Sequence, residues 1–319
     1  MTTYADQLFQ FGGVPVGAQD LLMAGGKWYF CDPTHGTSGG DALTPETANS
    51  SLLVCYNKTR SGYNDGVFFI GGATAYNPAA AFTWSNTYCH LIGITPVAGL
   101  GSRCRIVNTT ANDLAQPFFT LSGTGCRFYG IKFSDEKDAD ADSGALLVSG
   151  NYCKLVGCQV SGMAGAASAA RAGSYSMKVT GGEVQVEDCY IGLDTVARTA
   201  ASSELIVAGV RFRAKDTTIA TQAAAAAANF LVKIDNSAAD LRDVVFSGEC
   251  RFSSYNPNWA AATTNAITIP AAGNTVLVDI GPNCRLLGVS MTWADNLTHV
   301  YMAGPAPNAG FGIPTNPTS

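Results

Sequence analysis

"GTGCRFYGIKFSD" occupies Gly123–Asp135 and "GNYCKLVGCQVSG" occupies Gly150–Gly162. Both carry a Cys, a Gly four residues later, and alternating apolar residues between and beyond them. Further copies are "YCHLIGI" from Tyr88, "VQVEDCYIG" from Val184 with Asp188 in the Gly place, "LIVAGVRF" from Leu205, "ADLRDVVF" from Ala239 with Asp243 in the Gly place, and "NCRLLGVSM" from Asn283. Anchored on the Cys place, they start at 89, 126, 153, 184, 205, 239 and 284. A period of this size with variable gaps predicts a solenoid whose coils differ by inserted loops.

Within "CRFYGIKF" strict alternation would put Ile131 and Phe133 opposite Cys126 and Phe128. A bend at Gly130 returns them to the interior, so the Gly or Asp is read as a corner between two short strands. Gly130, Gly157 and Gly288 are expected at equivalent corners. Cys126 and Cys153 would then stack on successive coils, ~4.8 Å apart. Cys158 and Cys189 share a second column. The cysteines read as small inward-facing residues; disulfides are the alternative reading.

The composition agrees. Of 319 residues, 47% are hydrophobic and 13% charged, enough apolar mass for one large all-β unit. The formal net charge of -5 and the lack of a basic run give no footprint of a nucleic-acid partner. No run of about 18 apolar residues predicts a membrane span. "MTTYADQLFQFGG" lacks the basic and apolar regions of a secretory signal, so synthesis in a cytoplasm is expected. Without CxxC pairs, zinc is not indicated. The run Ala223–Ala228 fits a short helix or a loop between coils.

"KWYFCDPTHGTSGGDALTPETANSSL", Lys27–Leu52, resembles the opening of right-handed parallel β-helix proteins of the pectate-lyase-like superfamily, most of all the form found in tailed-phage virions. The matching residues are Tyr29, Phe30, Asp32, Gly36, Thr37, Asp41, Thr44, Pro45, Thr47 and Ala48, while Ala42 stands where that pattern has Gly. The resemblance implies an all-β fold: one right-handed parallel β-helix over 27–300, an N-terminal attachment arm over 1–26, and an extended Pro/Gly-rich tail over 301–319. It also implies a structural role in the virion. The expectation is a homotrimeric capsid decoration protein, made in the host cytoplasm, that binds the major capsid protein or other virion subunits. The alternative is a tail or head fibre that binds, and possibly cleaves, a host glycan.

The arm carries the expected partner-binding residues, Leu8, Phe9, Phe11, Val14, Val16, Leu21, Leu22 and Met23, joined by Phe311 and Ile313 of the tail. These apolar side chains follow no helix or strand period. The acidic segment offers Asp135, Asp138, Asp140 and Asp142 as a weak Ca²⁺ candidate, set against a solvated loop. His35, His90 and His299 share no motif, and no catalytic constellation or cofactor is indicated. The chain is therefore expected not to be an enzyme, with a lyase or glycosidase as the alternative. Trp84, Tyr88, Trp259 and Trp293 could stack on sugars, or belong to core and interface.

Overall fold

A computed structural model describes residues 10–11, 14–15, 26–94, 103–109, 114–136, 144–224, 229–237, 240–255, 265–269, 275–289 and 300–302. Among these residues the chain winds into a stack with three walls of parallel strands, the first with ten strands and the second and third with seven each. One coil runs from Phe119–Leu121 in the third wall through Arg127–Tyr129 in the first and Lys132–Asp135 in the second. The next begins at Gly144–Val148 in the third wall and continues through Lys154–Val156 and Gln159–Ser161. Among the described residues, only Gln10–Phe11 with Val14–Pro15 pairs antiparallel.

Register explains the repeated motif. In the first wall His90, Arg127, Lys154, Gln185 and Arg213 lie side by side. The residues preceding them form one buried column: Cys89, Cys126, Cys153, Val184 and Phe212. The second wall gives another, through Cys104, Ile131, Cys158, Cys189, Thr217, Cys250 and Cys284. The Cys158 amide donates to Cys189 Sγ at 3.3 Å. All ten cysteines are buried and outside any disulfide.

The corner between first and second walls falls at Gly130, Gly157, Asp188, Asp216 and Gly248, with φ of +64°, +60°, +51°, +50° and +65°. Gly adopts this left-handed conformation without penalty, and Asp tolerates it. Gly288 is not at this corner: it follows Arg285–Leu287, a strand of the second wall. Three other assignments shift with it. Leu205 lies in Ser202–Val207 of the third wall, Asp243 lies within Leu241–Ser247, and Cys284 belongs to the second column. The period is lost because Phe212 replaces the first-column Cys. In addition, Glu249 inserts between the corner Gly248 and Cys250, where Gly130 and Ile131 are adjacent.

The opening segment closes the stack. Asp32 Oδ1 accepts from the Thr34 and His35 amides at 2.8 and 3.0 Å, and Asn49 Nδ2 donates to the Ser38 and Gly40 carbonyls. Ala42 keeps the left-handed turn expected of Gly, at φ +61°. Helix Leu52–Asn57, capped by Ser51, buries Leu52, Cys55 and Tyr56 beside the first strands. Trp84 is fully buried, so it serves the core and not a sugar surface.

Candidate functional site

The acidic segment does not assemble a cation site among the described residues, where no group of three metal-ligating side chains occurs. Asp135 is not a loop residue. It ends strand Lys132–Asp135, is fully buried, and accepts from Asn108 Nδ2 at 2.9 Å. Asp138, Asp140 and Asp142 lie outside the described residues, as do His299, Trp259, Trp293, Phe311 and Ile313. So do Leu8, Phe9, Val16, Leu21, Leu22 and Met23. Phe11 and Val14 are placed by their backbone alone, paired with each other in the antiparallel ladder.

The groove on the outside of the third wall brings together polar groups that sequence spacing hides. Strands Tyr175–Val179, Ser202–Val207, Asn229–Ile234 and Asn265–Thr268 are in register, so that Lys178, Ile206, Lys233 and Thr268 form one row. Met177, Val179, Leu205, Val207, Val232 and Ile234 fill the core, which turns that row outward. Ser174, Ser202, Ser203, Ile206, Phe230, Lys233 and Thr268 line a cavity of about 250 Å³.

Behind this wall Arg198 and Glu204 form an ion pair at 2.8 Å with both side chains buried. Glu204 Oε2 also accepts from Ser176 Oγ at 2.5 Å, and Arg198 Nη1 donates to the Met163 and Val196 carbonyls. A buried pair survives only when its remaining donors and acceptors are satisfied, as here, and it holds the strands in one arrangement. The one sequence signal was a carboxylate inside the apolar run "SSELIVAG".

Above this base the groove is less satisfied. Ser174 is fully buried, and its hydroxyl has no partner among the described residues. Among the described residues neither Lys178 nor Lys233 is in an ion pair. Asp235 nearby has its carboxyl held low, first by the Ser237 hydroxyl and more weakly by the two lysines. The groove thus offers the Lys233 ammonium, one orphan hydroxyl and the ring of Phe230, with Lys178 in the same row across Ile206. This set suits a ligand with a carboxylate, hydroxyls and an apolar face.

No protein-family model and no curated protein matches the chain. Solved structures do. Pectin methylesterase PemA from Erwinia chrysanthemi aligns at TM-score 0.56 and 12% identity, over 86% of this chain and 80% of that one. A pectin methylesterase in complex with a hexasaccharide aligns at TM-score 0.50 and 11% identity, over the same shares. The chain is a right-handed parallel β-helix. A further alignment, to ORF18 of Geobacillus virus E2, has TM-score 0.38 and 13% identity, over 82% of this chain and 54% of that one.

These alignments correct the expectation of a chain without enzymatic activity, because the fold is compatible with enzymatic function. The expectation leaned on missing histidine and metal motifs. In a solenoid, register brings side chains from coils roughly 30 residues apart together, and linear spacing does not reveal such sets.

Proposed function

We propose that the chain is a β-helix of a tailed-phage particle that binds an acidic surface polysaccharide of the host through the groove on its third wall. The carrying observation is Lys233, without an ion pair among the described residues, beside the buried Ser174 hydroxyl and Phe230, with Lys178 in the same row across Ile206. A cation beside an apolar ring gives a uronate both charge pairing and a stacking face. The phage context rests on the resemblance of Lys27–Leu52, which includes the Asp32 turn and the left-handed Ala42. Full-length protein is expected to bind alginate or hyaluronate and not dextran. Lys233→Ala is expected to weaken that binding about tenfold, the effect of losing one charge-assisted contact. Equal binding of dextran, or full affinity in Lys233→Ala, sinks the reading.

A second reading, a homotrimeric decoration protein on the major capsid protein, is favoured by the chemistry of the first coils. There Lys27–Leu52 carries the turn pattern that resembles tailed-phage virion β-helices. Deleting residues 2–26 is then expected to leave a folded stack that no longer co-sediments with particles. Undiminished co-sedimentation counts against it.

A further inference from the structure

We propose that a ridge of exposed tyrosines, along the turn from third to first wall, is a track for a neutral, linear β-1,4-linked polysaccharide lying parallel to the stack axis. It shares no residue with the groove on the third wall and does not depend on the reading given for that groove.

The ridge is built by one turn repeated on successive coils. The Tyr88 amide donates to the Thr124 carbonyl, the Gly125 amide to Asn151, the Tyr152 amide to Gly182 and the Glu183 amide to Val210, at 2.8–2.9 Å. Tyr88, Gly125, Tyr152, Glu183 and Arg211 therefore form a column, with φ of +54°, +67°, +57°, +57° and +56°. With Asn64 at φ +55° in the coil before Tyr88, each coil from Asn64 to Arg211 holds a left-handed residue here. Gly or Asn would meet that demand at least cost, and a bulky aromatic meets it badly. Two tyrosines nonetheless occupy it, and both point into solvent: Tyr88 is 47% and Tyr152 60% exposed. Core packing does not explain them. Backbone strain kept for an exposed ring points to a use for the ring.

Their spacing identifies the occupant. Tyr88 and Tyr152 are two coils apart, about 10 Å at ~4.8 Å per coil. Between them sits Gly125, where a Cβ would collide with the Tyr88 ring, so that ring lies across the intervening coil. Two coils match one disaccharide repeat of an extended β-1,4 chain, in which alternate sugars present the same face. Tyr63, 57% exposed and one residue before Asn64 of this column, stands beside the start of the ridge with the Arg60 guanidinium 4.4 Å from its ring centre.

Charge selects a neutral polymer. Arg60 is paired with Asp65 at 2.9 Å, and Arg211 with Glu183 at 2.6 Å, so the cations beside the rings are already neutralised. The setting also argues against a protein partner. The rings stand among Thr87, Thr124, Asn151 and Gly182, with exposed Val210 beyond Tyr152 in the same row, whereas protein interfaces centre on a larger contiguous apolar patch.

The test is calorimetric titration of the full chain with cellohexaose, β-1,4-mannohexaose and, as the α-linked control, maltohexaose. At least one β-1,4 hexaose should bind, with maltohexaose at least tenfold weaker. Tyr88→Ala and Tyr152→Ala should each cost about tenfold in affinity, the effect of losing one stacked ring. Tyr152→Phe should bind normally. Tyr152→Asn should lose affinity while raising the midpoint of thermal unfolding, because it relieves the turn. Lys233→Ala should leave hexaose binding unchanged. The proposal is overturned if no β-1,4 hexaose binds, if neither alanine variant weakens binding, or if Tyr152→Asn lowers the midpoint. A change of molar mass in solution for the alanine variants also overturns it, since the ridge would then be a subunit interface.

Discussion

On the outer face of the first wall, the early and the later coils share one backbone and carry opposite chemistry. In the early coils the outward residues are Trp28, Phe30 and Phe68, packed with Ile70, Ile92 and Ile94. They face away from the core, yet Trp28 is 5%, Phe30 2% and Phe68 1% exposed. In the later coils the equivalent surface carries a lattice of ions. Glu187 is held by Lys154 and Lys215, both at 3.0 Å, and Arg213 meets Asp243 at 3.2 Å. The inner face cannot vary this way, since its columns must fill a narrow core with Cys, Val, Ile and Phe. The difference teaches that the stack is specified from inside, while its outer face is free to be dry at one end and wet at the other.

If the early face is a true second core, Phe68→Ala will be the most damaging single change on this wall. Its ring stacks on Trp28 at 4.6 Å and meets Phe30 at 5.3 Å. Truncation should cost about 3–5 kcal/mol, the range for buried Phe→Ala. Equilibrium unfolding in urea measures it, and a loss below about 1 kcal/mol would mean that this face is ordinary surface.

A smaller effect should appear with pH at the border between the two regions. His90 is buried against Trp28, ring centres 6.2 Å apart, and its Nδ1 accepts from the Arg127 amide at 3.2 Å. Burial, aided by the charge of Arg127, pushes its pKa down from 6.5 to about 4. The folded state therefore binds fewer protons than the unfolded chain between those values. Stability is full above pH 6.5 and falls as pH drops toward 4, where the folded imidazole also protonates and the loss levels off. The loss should reach at most about 3 kcal/mol. His90→Gln should flatten this part of the profile. A wild-type profile that is already flat from pH 6.5 to 4 would show that His90 is not held neutral.

The stack itself was legible in the sequence because its interior is repetitive. Cys126 over Cys153 and Cys158 beside Cys189 follow from the alternation, and the bends at Gly130 and Gly157 follow from glycine's access to φ above zero. The period failed where larger residues took over: Phe212 hides the first column, and Glu249 adds a residue before the second. Gly288 carried the right local pattern in the wrong wall. The candidate surfaces were less legible. Tyr88 was visible as a possible sugar-stacking residue, but its partnership with Tyr152 exists only through register. The buried Arg198–Glu204 pair and the row of Lys178 and Lys233 depend on register in the same way.

The smallest expected effect tests the wet half of the comparison. Glu187 lies between Lys215 and Lys154, and its carboxyl is held below the usual range, first by Lys215 and then by Lys154. That is a strong site only if solvent is ignored: the Glu187 side chain is 27% exposed, and water and salt screen its partners. Glu187→Gln removes the charge while keeping the shape and the hydrogen-bond acceptor. It should cost less than about 1 kcal/mol at low salt and nearly nothing at 1 M salt. Its pH signature is also distinct from that of His90. A depressed carboxylate contributes above its unfolded pKa of 4.5, and the contribution is lost as pH falls through the folded value, so Glu187→Gln should change the profile only in the acid limb. Urea unfolding of both proteins at two salt concentrations measures the difference. A salt-independent loss comparable to that of Phe68→Ala would mean that the later coils, too, are covered by something that excludes water.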